Sequence, residues 1–416
     1  MVVGIIIGAS VFVQPSEINR HVPSIPGVLS VWVVAGVLTV FGSLVCAELS
    51  SAFPRTGGVY VFLKETLSPA CGFLWGWAMF WSAHSGIIAA SSVIFARYVG
   101  FFVAIDGRLT AIAAILGLSF INYLGVRQGS RLQTAVTVSK VVAIVLLLIM
   151  VFAYGSRAKA SATPAAAPPV SFREFVLAVS AALFAFGGWH MVTYTAGETR
   201  DARRTIPKAL IAGALTVTAC YVALNAAYLY LLPLDAVTSS PRVAADAAKA
   251  MAGSRGASAI SALVILSAIG VLNGVILAGP RTYLAMAEEG LSFRWLAHIH
   301  PRHHTPDRTI LAQAVWSCVL VATGTYRELF TRVIYTEWLF FALMTVGLFR
   351  LRRRPGYKPF YRVWGYPVVP LAFSVAAVVV AAIQIAADPG RAATGLLLVV
   401  LGLPVYYLWL RPHANH

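Results

Sequence analysis

The residues that could do chemistry in this chain are few, and the most informative of them are backbone positions. Two short runs of small residues, Gly4 to Ser10 and Gly187-Gly188, interrupt stretches that are otherwise continuously apolar. A helix broken at such a place leaves unpaired N–H groups at the start of its second half and unpaired C=O groups at the end of its first. One end then attracts anions and the other cations. A zwitterionic amino acid matches both, with its carboxylate on the N–H groups of Gly8, Ala9 and Ser10 and its ammonium on carbonyls near Ile6, Phe184 and Ala185. No charged side chain is needed. A single break reads more simply as a place where helices pack closely; a matched pair points to a transporter's binding site.

A handful of side chains could add to that site. Lys140 is the one ammonium inside the apolar run 132–154 and lies about 12 Å along it. It either snorkels to an interface or is held at depth for a purpose. His190, just past the second break, is a titratable candidate or a ring that bonds locally or lines the pocket. Glu198 could pair with Arg281 as part of an inner gate or remain a solvated end charge, and Asn273 could face the site or bond across helices. His298, His300, His303 and His304 crowd one loop, but their spacing fits no standard zinc site. Neither a metal nor another cofactor is expected. Nor is an enzyme, which would need paired catalytic groups at membrane depth.

The elements that must position these residues are membrane-spanning helices. At 59% hydrophobic and 11% charged, the chain carries more apolar surface than a soluble core could bury. Runs of roughly 20 apolar residues, the length a bilayer requires, recur throughout, and the short alternating strands of a barrel are absent. The net charge of +17 sits in short loops between apolar segments, which fits membrane topology better than nucleic acid. About twelve spans are predicted, at 2–18, 27–50, 70–96, 109–124, 132–154, 172–197, 206–232, 259–287, 309–324, 329–349, 366–387 and 393–410. They form two sets of five plus two. The Ala/Pro-rich stretch before Phe172 reads as a linker between the sets, and 241–253 could form a short surface helix. No cleavable signal peptide is visible, so the first helix is expected to stay. Cys46, Cys71, Cys220 and Cys318 read as small core or lipid-facing residues. The basic clusters Arg200, Arg203, Arg204 and Lys208, and Arg350, Arg352, Arg353, Arg354, Lys358 and Arg362, belong in the cytoplasm under the positive-inside rule, as do both termini.

With these residues in view, the chain resembles the amino acid-polyamine-organocation transporters, and among them the branch of small neutral amino acid exchangers, of bacterial L-type-like kind. Gly4-Ile5-Ile6-Ile7-Gly8-Ala9-Ser10-Val11-Phe12 is similar to that family's first-helix break and Phe184-Ala185-Phe186-Gly187-Gly188-Trp189 to its sixth-helix break. Pro54-Arg55-Thr56-Gly57-Gly58-Val59-Tyr60, Glu198 with Arg204-Thr205-Ile206-Pro207, and Leu272-Asn273-Gly274 with Arg281 and Ala285-Met286-Ala287 support the match. The resemblance implies an all-α LeuT-type fold in which two inverted five-helix repeats, 1–154 and 171–350, enclose a midplane site. The helices of 366–411 would be peripheral. It further implies that the sixth-helix break, Phe184 to His190, lines the substrate, with Phe184 and Trp189 as its aromatic face. In the family the lysine matching Lys140 takes the place sodium occupies in related transporters, which implies sodium-independent transport.

Some features depart from the family pattern. Seven residues precede Gly8, about 10 Å of helix where half a membrane needs about 15 Å, so a start site further upstream is expected. Ser10 stands where the family often has glycine, which favours small substrates. The external loop 97–108 lacks the cysteine that animal relatives use to hold a partner subunit, so no covalent heavy chain is expected. The expected function is therefore amino acid transport in the plasma membrane, by exchange or with protons, with the substrate and lipid as partners. A cationic amino acid or polyamine on the same fold is the alternative; an acidic residue lining the pocket would favour it. Neither break contains one, although Glu17 and Glu48 lie near span ends. A non-transporting receptor or an intramembrane enzyme is the distant alternative.

Overall fold

The computed structural model describes residues 2–154, 169–324 and 326–410. Among these there is no strand, and nine helices are long and apolar enough to cross a membrane. The broken first helix, the 29-residue Val126–Tyr154 and the 17-residue Asp307–Thr323 bring the number of spans to the expected twelve. In chain order they are α1 (Val2–Ile6 and Gln14–His21), α2 (Ile25–Ala52), α3 (Pro69–Val99), α4 (Gly107–Leu124), α5 (Val126–Tyr154) and α6 (Phe172–Ala185 and Trp189–Glu198). Then follow α7 (Ala202–Leu231), α8 (Val243–Glu288), α9 (Asp307–Thr323), α10 (Tyr326–Arg352), α11 (Val368–Ala387) and α12 (Pro389–Leu408).

Local sequence explains where many of them begin. Ser24, Ser68, Asp106, Ser171 and Asp388 each accept a hydrogen bond from the backbone N–H three residues on, which satisfies a donor the helix start would otherwise leave orphaned. Proline in the first turn of α2, α3 and α12 costs nothing there. Helices at corresponding places in the two sets of five then pack on one another: α1 on α6, α2 on α7, α3 on α8 and α4 on α9. Two five-helix repeats wrapped about each other give this pairing, as in the LeuT-type fold. α11 lies against α10, α2 and α6, and α12 against α10 and α3. Their exposed Val368, Leu371, Val375, Val378, Leu397 and Val400 present an apolar face that suits lipid.

Two further stretches take helical form. The stretch 241–253 is helical from Val243 as expected: Val243, Ala244, Ala245, Ala247 and Ala248 are buried, while Lys249, Ala250, Ala252 and Gly253 are exposed. It joins α8 through a kink at Ala252 and Gly253. A short helix, Val59–Thr66, also stands between α2 and α3. The expected linker at 155–168 lies outside the described residues. The two basic clusters meet at one end of the bundle, where the Arg204 guanidinium sits 4.9 Å from the Phe360 ring.

Candidate functional site

Both breaks fall where the small residues are. α1 loses its helical course after Ile6 and recovers it at Gln14 through one 3₁₀ turn, Ser10–Phe12. α6 stops after Ala185. Gly188 then takes φ +86°, a conformation open to glycine and strained for other residues. The chain continues in 3₁₀ form over Trp189–Glu198, interrupted by a kink at Thr195.

Between the breaks lies a cavity of about 20 Å³, room for about one water molecule. Ile5, Ile6, Gly8 and Ser10 of α1 and Phe184, Ala185, Gly187 and Gly188 of α6 form one part of its wall. Ile87 and Ser91 of α3, Val271 and Val275 of α8, and Val333, Ile334 and Glu337 of α10 complete it. An amino acid needs more room than this, so these helices must part to admit one.

Of the residues the sequence pointed to, Ile6, Gly8, Ser10, Phe184, Ala185 and Gly187 line this cavity. Ala9, Phe186, Trp189 and His190 do not. Ala9 is buried at the head of the 3₁₀ turn. Phe186 turns away to pack on Tyr221 and Trp32, with ring centroids 4.8 and 6.2 Å distant. The left-handed turn at Gly188 carries Trp189 and His190 to the far side, against Phe341 at 5.1 and 5.0 Å and, for His190, against Trp75. Neither ring nitrogen of His190 has a hydrogen-bond partner among the described residues.

The carbonyls at the breaks are also engaged. The Tyr221 hydroxyl of α7 lies 2.7 Å from the Ile6 oxygen and 3.0 Å from the Ala185 oxygen. A hydroxyl has one proton, so it donates to one carbonyl at a time and ties the two breaks together. The Phe184 oxygen accepts from the Gly187 N–H. A substrate ammonium must therefore share these oxygens with the protein.

Lys140 is fully buried in α5 and does not snorkel. Its ammonium donates to the Gly4 oxygen at 2.5 Å and to the Ile7 oxygen, which also accepts from the Ser267 hydroxyl. These are carbonyls at the C-terminal end of the first half of α1, the partly negative end of a helix. Gly270 of α8 makes room for the ammonium: a Cβ there would stand 3.0 Å from Lys140 Nζ.

The polar residues of lower rank divide clearly. Glu198, half exposed at the end of α6, accepts from Arg281 Nε at 2.7 Å and Nη2 at 3.3 Å, so α6 and α8 are clasped below the cavity. Asn273 is turned away from the site, donating to Gln133 of α5 at 3.1 Å and accepting from Asn122 of α4 at 2.9 Å. In the histidine-rich loop, His298 bonds Asp307 at 2.7 Å, while His300 Nδ1 accepts the N–H groups of Arg302 and His303.

Among the lining residues not singled out from sequence, one is ionisable. Glu337, in the middle of α10, is 2% exposed, and its Oε1 has no hydrogen-bond partner. An acidic residue well inside an apolar span was the available signal. Tyr221 was missed too, because nothing around it announces a hydroxyl that reaches two distant carbonyls.

The comparison with known proteins agrees with this geometry. The family model described as amino acid permease matches residues 1–406. The chain is 31% identical to the serine/threonine exchanger SteT of Bacillus subtilis (strain 168), over 98% of this chain and 94% of that one. It is 28% identical to the human Asc-type amino acid transporter 1, over 98% and 80% of the two chains, and 26% identical to the human cystine/glutamate transporter, over 99% and 83%. A family match over nearly the whole length, on a bundle with paired breaks, settles the class. The chain belongs to the amino acid permease family, and is a multi-pass membrane transporter of the amino acid-polyamine-organocation superfamily rather than an enzyme.

Proposed function

We propose that the chain exchanges amino acids across the cell membrane by alternating access, without sodium, and that it takes small or medium neutral substrates. The observation that carries this reading is the Lys140 ammonium on the Gly4 and Ile7 carbonyls. It fixes a positive charge at the broken end of α1, where a metal cation would otherwise be needed to hold the break open. The backbone N–H groups past Gly8 are the seat for the substrate carboxylate, and the Ser10 hydroxyl adds a donor beside them. The Ile and Val walls suit an aliphatic or hydroxyl side chain. The exchanger named for serine and threonine among the relatives supports the same substrate range.

In this reading the Glu198–Arg281 clasp closes the inner side and must part for inward release. The end bearing the two basic clusters faces the cytoplasm, together with both termini. The loop 97–108 offers no cysteine, so the chain works without a covalently attached heavy chain. A second reading, the same fold with a cationic substrate, is favoured by one observation: the carboxyl of Glu337 lines the cavity.

The test is uptake of radiolabelled amino acids into proteoliposomes, empty or preloaded with unlabelled substrate, with and without sodium and a pH gradient. Uptake of serine, threonine or alanine that needs internal substrate and ignores sodium is the expected result. Uptake into empty vesicles driven by a pH gradient would replace exchange with proton coupling. No uptake of any amino acid would contradict the reading.

A further inference from the structure

The cavity has one ionisable side chain in its wall, and one of its carboxyl oxygens lacks a hydrogen-bond partner. Glu337 is 2% exposed, its Oε1 accepts no hydrogen bond, and no basic group lies within ion-pairing distance among the described residues. The buried basic side chains nearby are otherwise placed. Lys140 is spent on the carbonyls of α1 and Arg281 on Glu198. His84 meets the hydroxyls of Tyr283 at 2.9 Å and Tyr194 at 3.2 Å, and His190 stands within its aromatic box. What remains in the wall beside Glu337 is apolar, apart from the Ser10 and Ser91 hydroxyls.

A carboxylate in such surroundings costs several kcal/mol unless a cation meets it, and an apolar residue of similar size would pack α10 more cheaply. The fold gains nothing from the group. Its use must lie in what enters the cavity. Glu337 also comes from α10, whereas the groups suited to a substrate's α-carboxylate and α-ammonium belong to the breaks of α1 and α6. The carboxyl is therefore left for the substrate's side chain.

We propose that Glu337 is a specificity-determining residue that lets the site accept an amino acid with a short side chain ending in a primary amine, such as ornithine or 2,4-diaminobutyrate, alongside neutral ones. The methylenes lie against Ile87, Val275 and Val333, and the terminal ammonium meets the carboxylate. The small size of the cavity favours a short arm. The inference rests on the transporter reading above, and its test keeps the two apart.

The experiment measures counterflow of labelled L-ornithine and L-serine in proteoliposomes holding the full chain, as wild type, Glu337→Gln and Glu337→Asp. The wild type should exchange both. The ornithine-to-serine ratio of kcat/KM should fall by about tenfold or more in Glu337→Gln, and by less in Glu337→Asp, which keeps the charge. Competition in the wild type supplies a readout that needs no variant: ornithine should inhibit serine exchange more strongly than norvaline, which has a similar arm without the terminal amine. Serine exchange without ornithine exchange, an unchanged ratio in Glu337→Gln, or norvaline outcompeting ornithine would each overturn the inference and leave the transporter reading standing. Failure to exchange any amino acid would overturn both.

Discussion

Two carboxyl groups are buried almost equally in α2 and α10, and the molecule treats them in opposite ways. Glu48, fully buried, receives four donors: Arg352 through Nε at 2.8 Å and Nη2 at 2.5 Å, the Tyr357 hydroxyl at 3.2 Å and the Val363 N–H at 2.6 Å. Burial, and then the charge of Glu48, push the Tyr357 phenol up, so it stays protonated and donates. Glu337, equally withdrawn from solvent, has an oxygen that bonds to nothing. A buried charge with every lone pair met is an anchor, here fastening α2 to the end of α10 and the loop beyond it. A carboxyl left bare in a cavity wall has a task that begins when a substrate arrives. Burial alone says little about role; the partners decide it.

The comparison can be broken by mutation, beginning with the largest effect. Arg352→Ala leaves the Glu48 carboxylate buried without its cation and should cost about 3–5 kcal/mol, seen as a large fall in the melting temperature of the detergent-solubilised protein. Lys140→Ala removes two charge-assisted bonds from the end of α1, each worth about 1.5–3 kcal/mol; serine counterflow should drop by about tenfold or more, with a fall in melting temperature comparable to that of Arg352→Ala. Tyr221→Phe deletes the hydroxyl shared by the two breaks and should cost about 1–3 kcal/mol, divided between stability and exchange rate. Glu198→Gln weakens a clasp whose acidic partner is half exposed, worth about 1 kcal/mol or less, so a modest change in exchange rate, measured from each side of the vesicle, is expected. Glu337→Gln removes a charge that no basic group meets and should leave the melting temperature at or above that of the wild type. If it melts as far below wild type as Arg352→Ala does, the contrast between the two carboxyls is wrong.

Much of this arrangement was legible in the sequence because the signals are local and strong. Twelve apolar runs read directly as spans, and glycines mark both breaks, at Gly188 because the turn takes a positive φ and at Gly8 because a Cβ would collide with Val271. Lys140 stood out because an ammonium deep in an apolar span requires a partner, and the Glu198–Arg281 pair could be read from complementary charges near helix ends. What stayed hidden depends on rotation and distance. Whether Phe186, Trp189 and His190 face the cavity turns on how the chain winds through the break: Phe186, at the end of the first half of α6, points to Tyr221 and Trp32, and the turn at Gly188 sends Trp189 and His190 elsewhere. Asn273 bonds to side chains 140 and 151 residues away in sequence, which no local pattern reveals. Glu337 was visible as an acid in a greasy run, but its unpartnered oxygen in the cavity wall emerges only when the surrounding helices are in place.

The central claim is that a lysine ammonium does at the first break what a metal cation would otherwise do. It is tested most directly by measuring serine counterflow in proteoliposomes in sodium, potassium or choline buffers, for the wild type and Lys140→Ala. The account predicts equal wild-type exchange in all three, and a Lys140→Ala variant that is inactive or works only in sodium. Wild-type exchange that requires sodium, or a Lys140→Ala variant as active as wild type in choline, would contradict it.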